Sequence, residues 1–121
     1  VDVLARGGSL EHNARWDWAL PEHFLDWAQG YADQAQWKDP RVSPSFANLA
    51  GLPPLLIHVG EAEMLLDQVV AFSAKATAAG VDARLTVEPD MIHAWHLLAL
   101  ISPVAARSIA AAAAFIKERT R

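Results

Sequence analysis

Leu52-Pro53-Pro54-Leu55-Leu56-Ile57-His58-Val59-Gly60-Glu61-Ala62-Glu63-Met64-Leu65-Leu66-Asp67 is the stretch on which the fold turns. Pro53 and Pro54 fix their own φ angles and bias the residue before each toward extended backbone. Residues 55–59 are apolar apart from His58, and Gly60 closes the run. Such a run, bounded by proline and glycine, suits a strand buried on both faces, as in a parallel sheet. Residues 64–79 then follow a helical period, with Leu66, Val69, Val70, Ser73 and Thr77 along one side. Gly80 is a good residue to end that helix, because it tolerates a left-handed conformation. Beyond it Ala83, Leu85 and Val87 alternate with Arg84, Thr86 and Glu88, the period of a second strand. Strand, helix and strand in this order predict a parallel βαβ unit with a right-handed crossover.

Toward the C-terminus, Pro89-Asp90-Met91-Ile92-His93-Ala94-Trp95 follows the second strand, and residues 94–101 form a short apolar segment. Ser102 caps a final alanine-rich helix whose first residue is Pro103 and whose larger apolar residues include Val104, Ile109 and Phe115. Lys117, Arg119 and Arg121 complement the dipole at its end. Toward the N-terminus, Pro53 is preceded by a connector with Pro40 and Pro44, and before that by a helix expected over residues 21–32. Phe24, Trp27, Ala28 and Tyr31 share one face of that helix. Residues 1–4 read as the end of a strand, Arg6-Gly7-Gly8-Ser9 as a turn, and the aromatic, aperiodic segment up to Trp18 as loop. The expected organisation is therefore a single α/β unit over residues 1–121, divided into a leading region, 1–50, and a βαβα region, 51–121.

The chain has 121 residues with 53% hydrophobic and 20% charged positions, the balance of an ordinary globular domain with a modest core. Its net charge of −4 and the lack of a basic cluster argue against nucleic-acid binding. No cysteine is present, so disulfides, thiolate metal sites and cysteine nucleophiles are excluded. A reducing compartment is compatible with this, and a cytoplasmic location is the expectation. The apolar run at residues 109–116 is too short to span a bilayer, and no signal-peptide pattern stands at the start. The first residue is Val1, so a processed, truncated or internally started polypeptide is expected.

In open α/β sheets, chemistry sits in the loops beyond the carboxyl ends of the strands. Here those loops are residues 60–63 and 89–93, which puts Glu63 and His93 at one edge if the strands are neighbours. A carboxylate on one imidazole nitrogen fixes the tautomer and stabilises the imidazolium formed when the ring takes a proton. Glu61 competes with Glu63 for this role, and Glu63 could simply favour a helix start. His58 reads as structural. His93 and His96 lie three residues apart, but no third ligand has useful metal spacing, and no cofactor is called for. Trp16, Trp18 and Trp27 read as packing anchors, with an acyl-pocket lining as the alternative.

Residues 52–67 resemble the acid-bearing segment of the hormone-sensitive-lipase-like esterases of the α/β-hydrolase fold, and residues 89–95 resemble their catalytic-histidine loop. Asp39-Pro40-Arg41-Val42-Ser43-Pro44, and the opening Val1-Asp2-Val3-Leu4 with Gly7-Gly8-Ser9, are similar to theirs as well. The resemblance covers nearly the whole chain but only the C-terminal part of the family's domain. It implies that His93 is the general base and acid, that Glu63 orients it, and that Asp67 supports the loop. Ile92 stands where the family often has proline. No Gly-x-Ser-x-Gly elbow and no His-Gly-Gly oxyanion segment occur in the chain. Gly7-Gly8-Ser9 does not fit the elbow, since neither an apolar strand before it nor a helical pattern after it is visible.

The resemblance implies a small acyl ester as substrate. Removing the serine of a serine protease costs about six orders of magnitude in turnover, so the chain alone is expected to be inactive. Open strand edges imply either a companion chain carrying the other half or self-association. Two other readings stand beside this one: a non-catalytic α/β interaction or binding module derived from an esterase, and an unrelated enzyme using Glu63 and His93 for acid–base work.

Overall fold

A computed structural model describes residues 7–18 and 21–120; the strand end expected at residues 1–4, and Arg6 and Arg121, lie outside them. Strand β1 (Leu55–Gly60) and strand β2 (Ala83–Glu88) pair in parallel, joined by helix α3 (Leu66–Ala78). Their register is flush: Leu55 lies opposite Ala83 and Gly60 opposite Glu88. Both carboxyl ends therefore emerge side by side. The N-terminal region carries a short helix α1 (Ser9–His12) and helix α2 (Pro21–Tyr31), and the chain ends in helix α4 (Pro103–Arg119). Ser102 caps α4 by accepting from the Ala105 N–H at 3.4 Å, with Pro103 following it.

Two apolar clusters hold these elements. Leu10, Met64 and Leu65 join α1 to the start of α3, with Ala14, Phe24 and Val69 packed around them. Leu49, Ala76 and Val81 join the connector to the end of α3, with Leu55 and Phe72 among their neighbours. The Lys75 ammonium ties the same connector down by donating to the carbonyls of Ser45 and Ala47 at 2.6 and 2.7 Å. At the other end of the sheet Arg84 pairs with Glu118, and Arg119 with Asp82, so α4 is clamped to β2.

Several expectations need correction. Residues 9–12 are helical and not loop, because the Gly8 carbonyl accepts from the N–H groups of Glu11 and His12. Helix α3 begins at Leu66 and not at 64, because the Asp67 N–H, which an earlier start would bond to the Glu63 carbonyl, donates instead to Ser9 Oγ. Its buried side runs through Ser73 and Ala76, while Val70 and Thr77 are exposed. In β1 only Val59 and Gly60 are buried, and residues 55–58 are half-buried, because among the described residues each strand has a single partner. In α2 only Ala28 of the expected face is buried, and Trp27 and Tyr31 are exposed. In α4 Ala105 and Ser108 are the buried residues and Ile109 is exposed. Trp16, Trp18 and Trp27 are each more than half exposed, so they are not core anchors.

Candidate active site

The acid loop is built by its own backbone. The Glu63 N–H donates to the Gly60 carbonyl at 3.1 Å, closing a turn at the end of β1. That turn folds the Glu63 side chain back over the strand, where Oε2 accepts from the Gly60 N–H at 3.0 Å. Glu63 is buried, 5% exposed. The histidine loop reverses through Asp90, whose φ of 58° is left-handed, a conformation aspartate tolerates better than most residues. The Met91 carbonyl then accepts from the Ala62 N–H at 3.0 Å, stitching the two loops together. This contact requires glycine at position 60. A methyl group there would sit 2.1 Å from the Met91 carbonyl oxygen.

Beyond Met91 the loop brings His93 over Glu63, and His93 Nδ1 lies 2.7 Å from Glu63 Oε1. With Nδ1 committed to the carboxylate, Nε2 is the nitrogen left for a reacting group. The hydrogen bond to Glu63 raises the His93 pKa above its ordinary 6.5; burial opposes this, and the charges of Glu63 and Asp17 add to it. Ala94 follows in a left-handed conformation, φ 56°, and turns the chain into the fully buried Trp95. The Trp95 indole N–H donates to Ser108 Oγ at 3.2 Å, anchoring the loop on α4.

The other acidic candidates point elsewhere. Glu61 is exposed and accepts from the Asp90 N–H at 3.3 Å. Asp67 accepts from the Ser9 N–H at 2.7 Å and holds the start of α1. Ser9 is buried, and its hydroxyl donates to the Met64 carbonyl and accepts from the Asp67 N–H. That serine is therefore engaged with the beginning of α3 and not with His93, even though a helix does follow Gly7-Gly8. His96 turns to His58, with the two rings' nitrogens 3.0 Å apart. Burial, and then His96, lowers the His58 pKa. Among the described residues no group of three metal-ligating side chains exists.

Asp17, which the sequence reading did not single out, and Trp18, for which it offered an acyl-pocket lining as the alternative to a packing anchor, complete the geometry. Asp17 is buried, 7% exposed, and its carboxylate accepts from the N–H groups of Trp18, His93 and Met64 at 2.9, 3.2 and 3.0 Å. Trp18 donates from its indole to the His93 carbonyl at 2.8 Å and tilts over the imidazole, ring centroids 5.7 Å apart. Beside the imidazole an apolar pocket of about 350 Å³ is lined by Trp18, Ile92, His93, Ala94, Trp95, Leu97 and Leu98. The one trace of Asp17 in the sequence is an acid set between two tryptophans in an otherwise aperiodic segment.

Residues 5–97 match the family model described as alpha/beta hydrolase fold. An acetyl-hydrolase of Streptomyces hygroscopicus is 37% identical over 93 residues, covering 77% of this chain and 31% of that protein. An esterase of Acinetobacter venetianus is 39% identical over 123 residues, covering 95% of this chain and 39% of its own length. Among solved structures, EstE5 soaked with ethyl alcohol superposes with a TM-score of 0.92 at 40% identity, covering 97% of this chain and 40% of EstE5. A hormone-sensitive lipase from a metagenome library superposes equally well, TM-score 0.92, at 33% identity over 98% of this chain and 41% of its own. The chain thus spans about a third of the curated relatives and two fifths of the solved ones. With its parallel strands, its flanking helices and this match along most of its length, the chain belongs to the α/β-hydrolase fold family, within its hormone-sensitive-lipase-like esterases, and corresponds to the C-terminal part of their domain.

Proposed function

We propose that this chain is the acid-and-histidine arm of a serine carboxylesterase, with His93 as general base and acid and Glu63 as the carboxylate that orients it. The observation that carries this reading is the 2.7 Å contact between His93 Nδ1 and Glu63 Oε1 beside an apolar pocket. In the reaction, a serine supplied by the rest of the domain gives its proton to His93 Nε2 as its oxygen attacks the ester carbonyl. Glu63 stabilises the resulting imidazolium. His93 then protonates the departing alcohol, leaving an acyl-serine, and water cleaves that intermediate by the same proton path in reverse. The pocket suits an apolar part of a small acyl ester.

No Gly-x-Ser-x-Gly elbow stands in these residues, so the chain by itself should not turn over esters. Short-chain nitrophenyl esters incubated with the isolated chain should give no product above a buffer control. Turnover by the unmodified chain that disappears in His93→Ala would overturn this. Supplying a nucleophile-bearing N-terminal half of a hormone-sensitive-lipase-like esterase should restore hydrolysis, and His93→Ala or Glu63→Ala should abolish it. The activity so restored should rise with pH through the raised pKa of His93, because only the neutral ring can accept the serine proton.

A further inference from the structure

We infer that Asp17 is a positioning residue that locks the backbones of Glu63 and His93 into one geometry. Residues 13–18 cross the open ends of both strands like a strap. Asn13 donates from Nδ2 to the carbonyls of Glu61 and Glu63, each at 3.0 Å. Asn13 also ends α1 and accepts, through its own carbonyl, the N–H groups of Trp16 and Asp17, which holds Asp17 in place. Oδ2 of Asp17 takes the N–H of Met64, the residue next to Glu63. Oδ1 takes the N–H of His93 itself and that of Trp18. Trp18 closes the frame by donating to the His93 carbonyl. One carboxylate thus spans the acid loop and the histidine loop, and His93 is held by both its N–H and its carbonyl.

A buried carboxylate is costly unless its lone pairs are filled. Three backbone N–H groups satisfy both oxygens, and no arginine or lysine side chain is among the hydrogen-bond partners described for it. A pair of loops that merely needed closing could use neutral groups. The negative charge does more here: held on the His93 backbone N–H, it adds to the Glu63 hydrogen bond and charge in favouring the protonated imidazole. Asp17 touches neither the reacting nitrogen nor the apolar pocket, so its action passes through Glu63 and His93.

This inference rests on the role proposed for Glu63 and His93, but its test does not require ester turnover. Asp17→Asn keeps the shape and removes the charge. However its amide is turned, the NH₂ group faces at least one of the N–H groups and that contact is lost. Proton NMR of the folded variant, with folding judged by circular dichroism, should show the His93 titration midpoint lowered. The downfield His93 Nδ1 proton should broaden by exchange. A folded Asp17→Asn variant with both features unchanged would overturn the inference. If the variant does not fold, the unmodified chain decides by amide hydrogen exchange: the His93 and Met64 N–H groups should be protected, and rapid exchange at both overturns it. A failure of the complemented protein to hydrolyse esters, with these signals as expected, would count against the proposed function and leave Asp17 in place.

Discussion

Gly60 has no side chain because the Met91 peptide occupies the space one would need. In Gly60→Ala the new methyl would lie 2.1 Å from the Met91 oxygen and 2.6 Å from its carbon, and a peptide cannot swing away as a side-chain tip can. We expect a loss at the upper end of overpacking costs, about 3 kcal/mol, seen as a melting temperature lower by about 10 °C. A melting temperature within a degree of the parent would show that the two loops do not approach as described. The Glu63–His93 contact predicts a pH effect whose sign is fixed. The folded His93 pKa is raised, so the stabilisation it brings is complete below 6.5 and is lost as pH rises through the folded value. Glu63→Gln keeps the shape and drops the charge. His93 should then titrate lower, and the decline in stability as pH rises above 6.5 should shrink. NMR titration and denaturant midpoints measured across that range check both.

At the scale of elements, the histidine loop is hydrogen-bonded to α4 through the buried indole of Trp95. Trp95 donates to Ser108, and the Ser108 hydroxyl in turn donates a hydrogen bond to the Val104 carbonyl. Ser108→Ala would leave the indole N–H buried without an acceptor, at a cost of about 1–3 kcal/mol. Adding Trp95→Phe removes that orphaned donor, so the Ser108→Ala cost should be smaller in a Trp95→Phe background; strict additivity in urea unfolding would rule this account out. Ala94 makes the opposite case. Its left-handed conformation strains an alanine, and Ala94→Gly should stabilise the chain by up to about 1 kcal/mol. The sequence makes the strand–helix–strand order legible, since prolines, glycines and two clear periods punctuate residues 52–88, and all three elements lie within two residues of their expected bounds. It also makes legible which two loops share an edge. It is silent about Asp17, because that residue works through backbone N–H groups 47 and 76 positions away, which leave no pattern in side-chain chemistry. The exposure of Val70, Val87, Trp16, Trp18 and Trp27 is equally invisible to periodicity, which tells which residues share a face but not whether anything covers it.

For the whole molecule, surface is the telling quantity. The chain exposes 7600 Å², whereas a compact monomer of 13.2 kDa exposes roughly 6,400 Å². The excess, about 1,200 Å², exceeds the roughly 800 Å² that each partner buries in a standard interface. Large apolar side chains are open on that surface: Leu100 is 99% exposed, Leu97 83%, Ile101 81% and Tyr31 72%. Among the described residues neither strand has a second neighbour, so each offers a row of unpaired backbone groups. Exposed apolar surface and open strand edges are the features that favour association. We therefore expect the isolated chain to self-associate at micromolar concentration, and to do so less when a complementing N-terminal half is co-expressed and captures it. Size-exclusion chromatography with light scattering reads both results. A monomer at all concentrations, unchanged by the complementing half, would mean that the open edges and exposed leucines are tolerated in water, and the reading of the chain as part of a larger sheet would lose its physical basis.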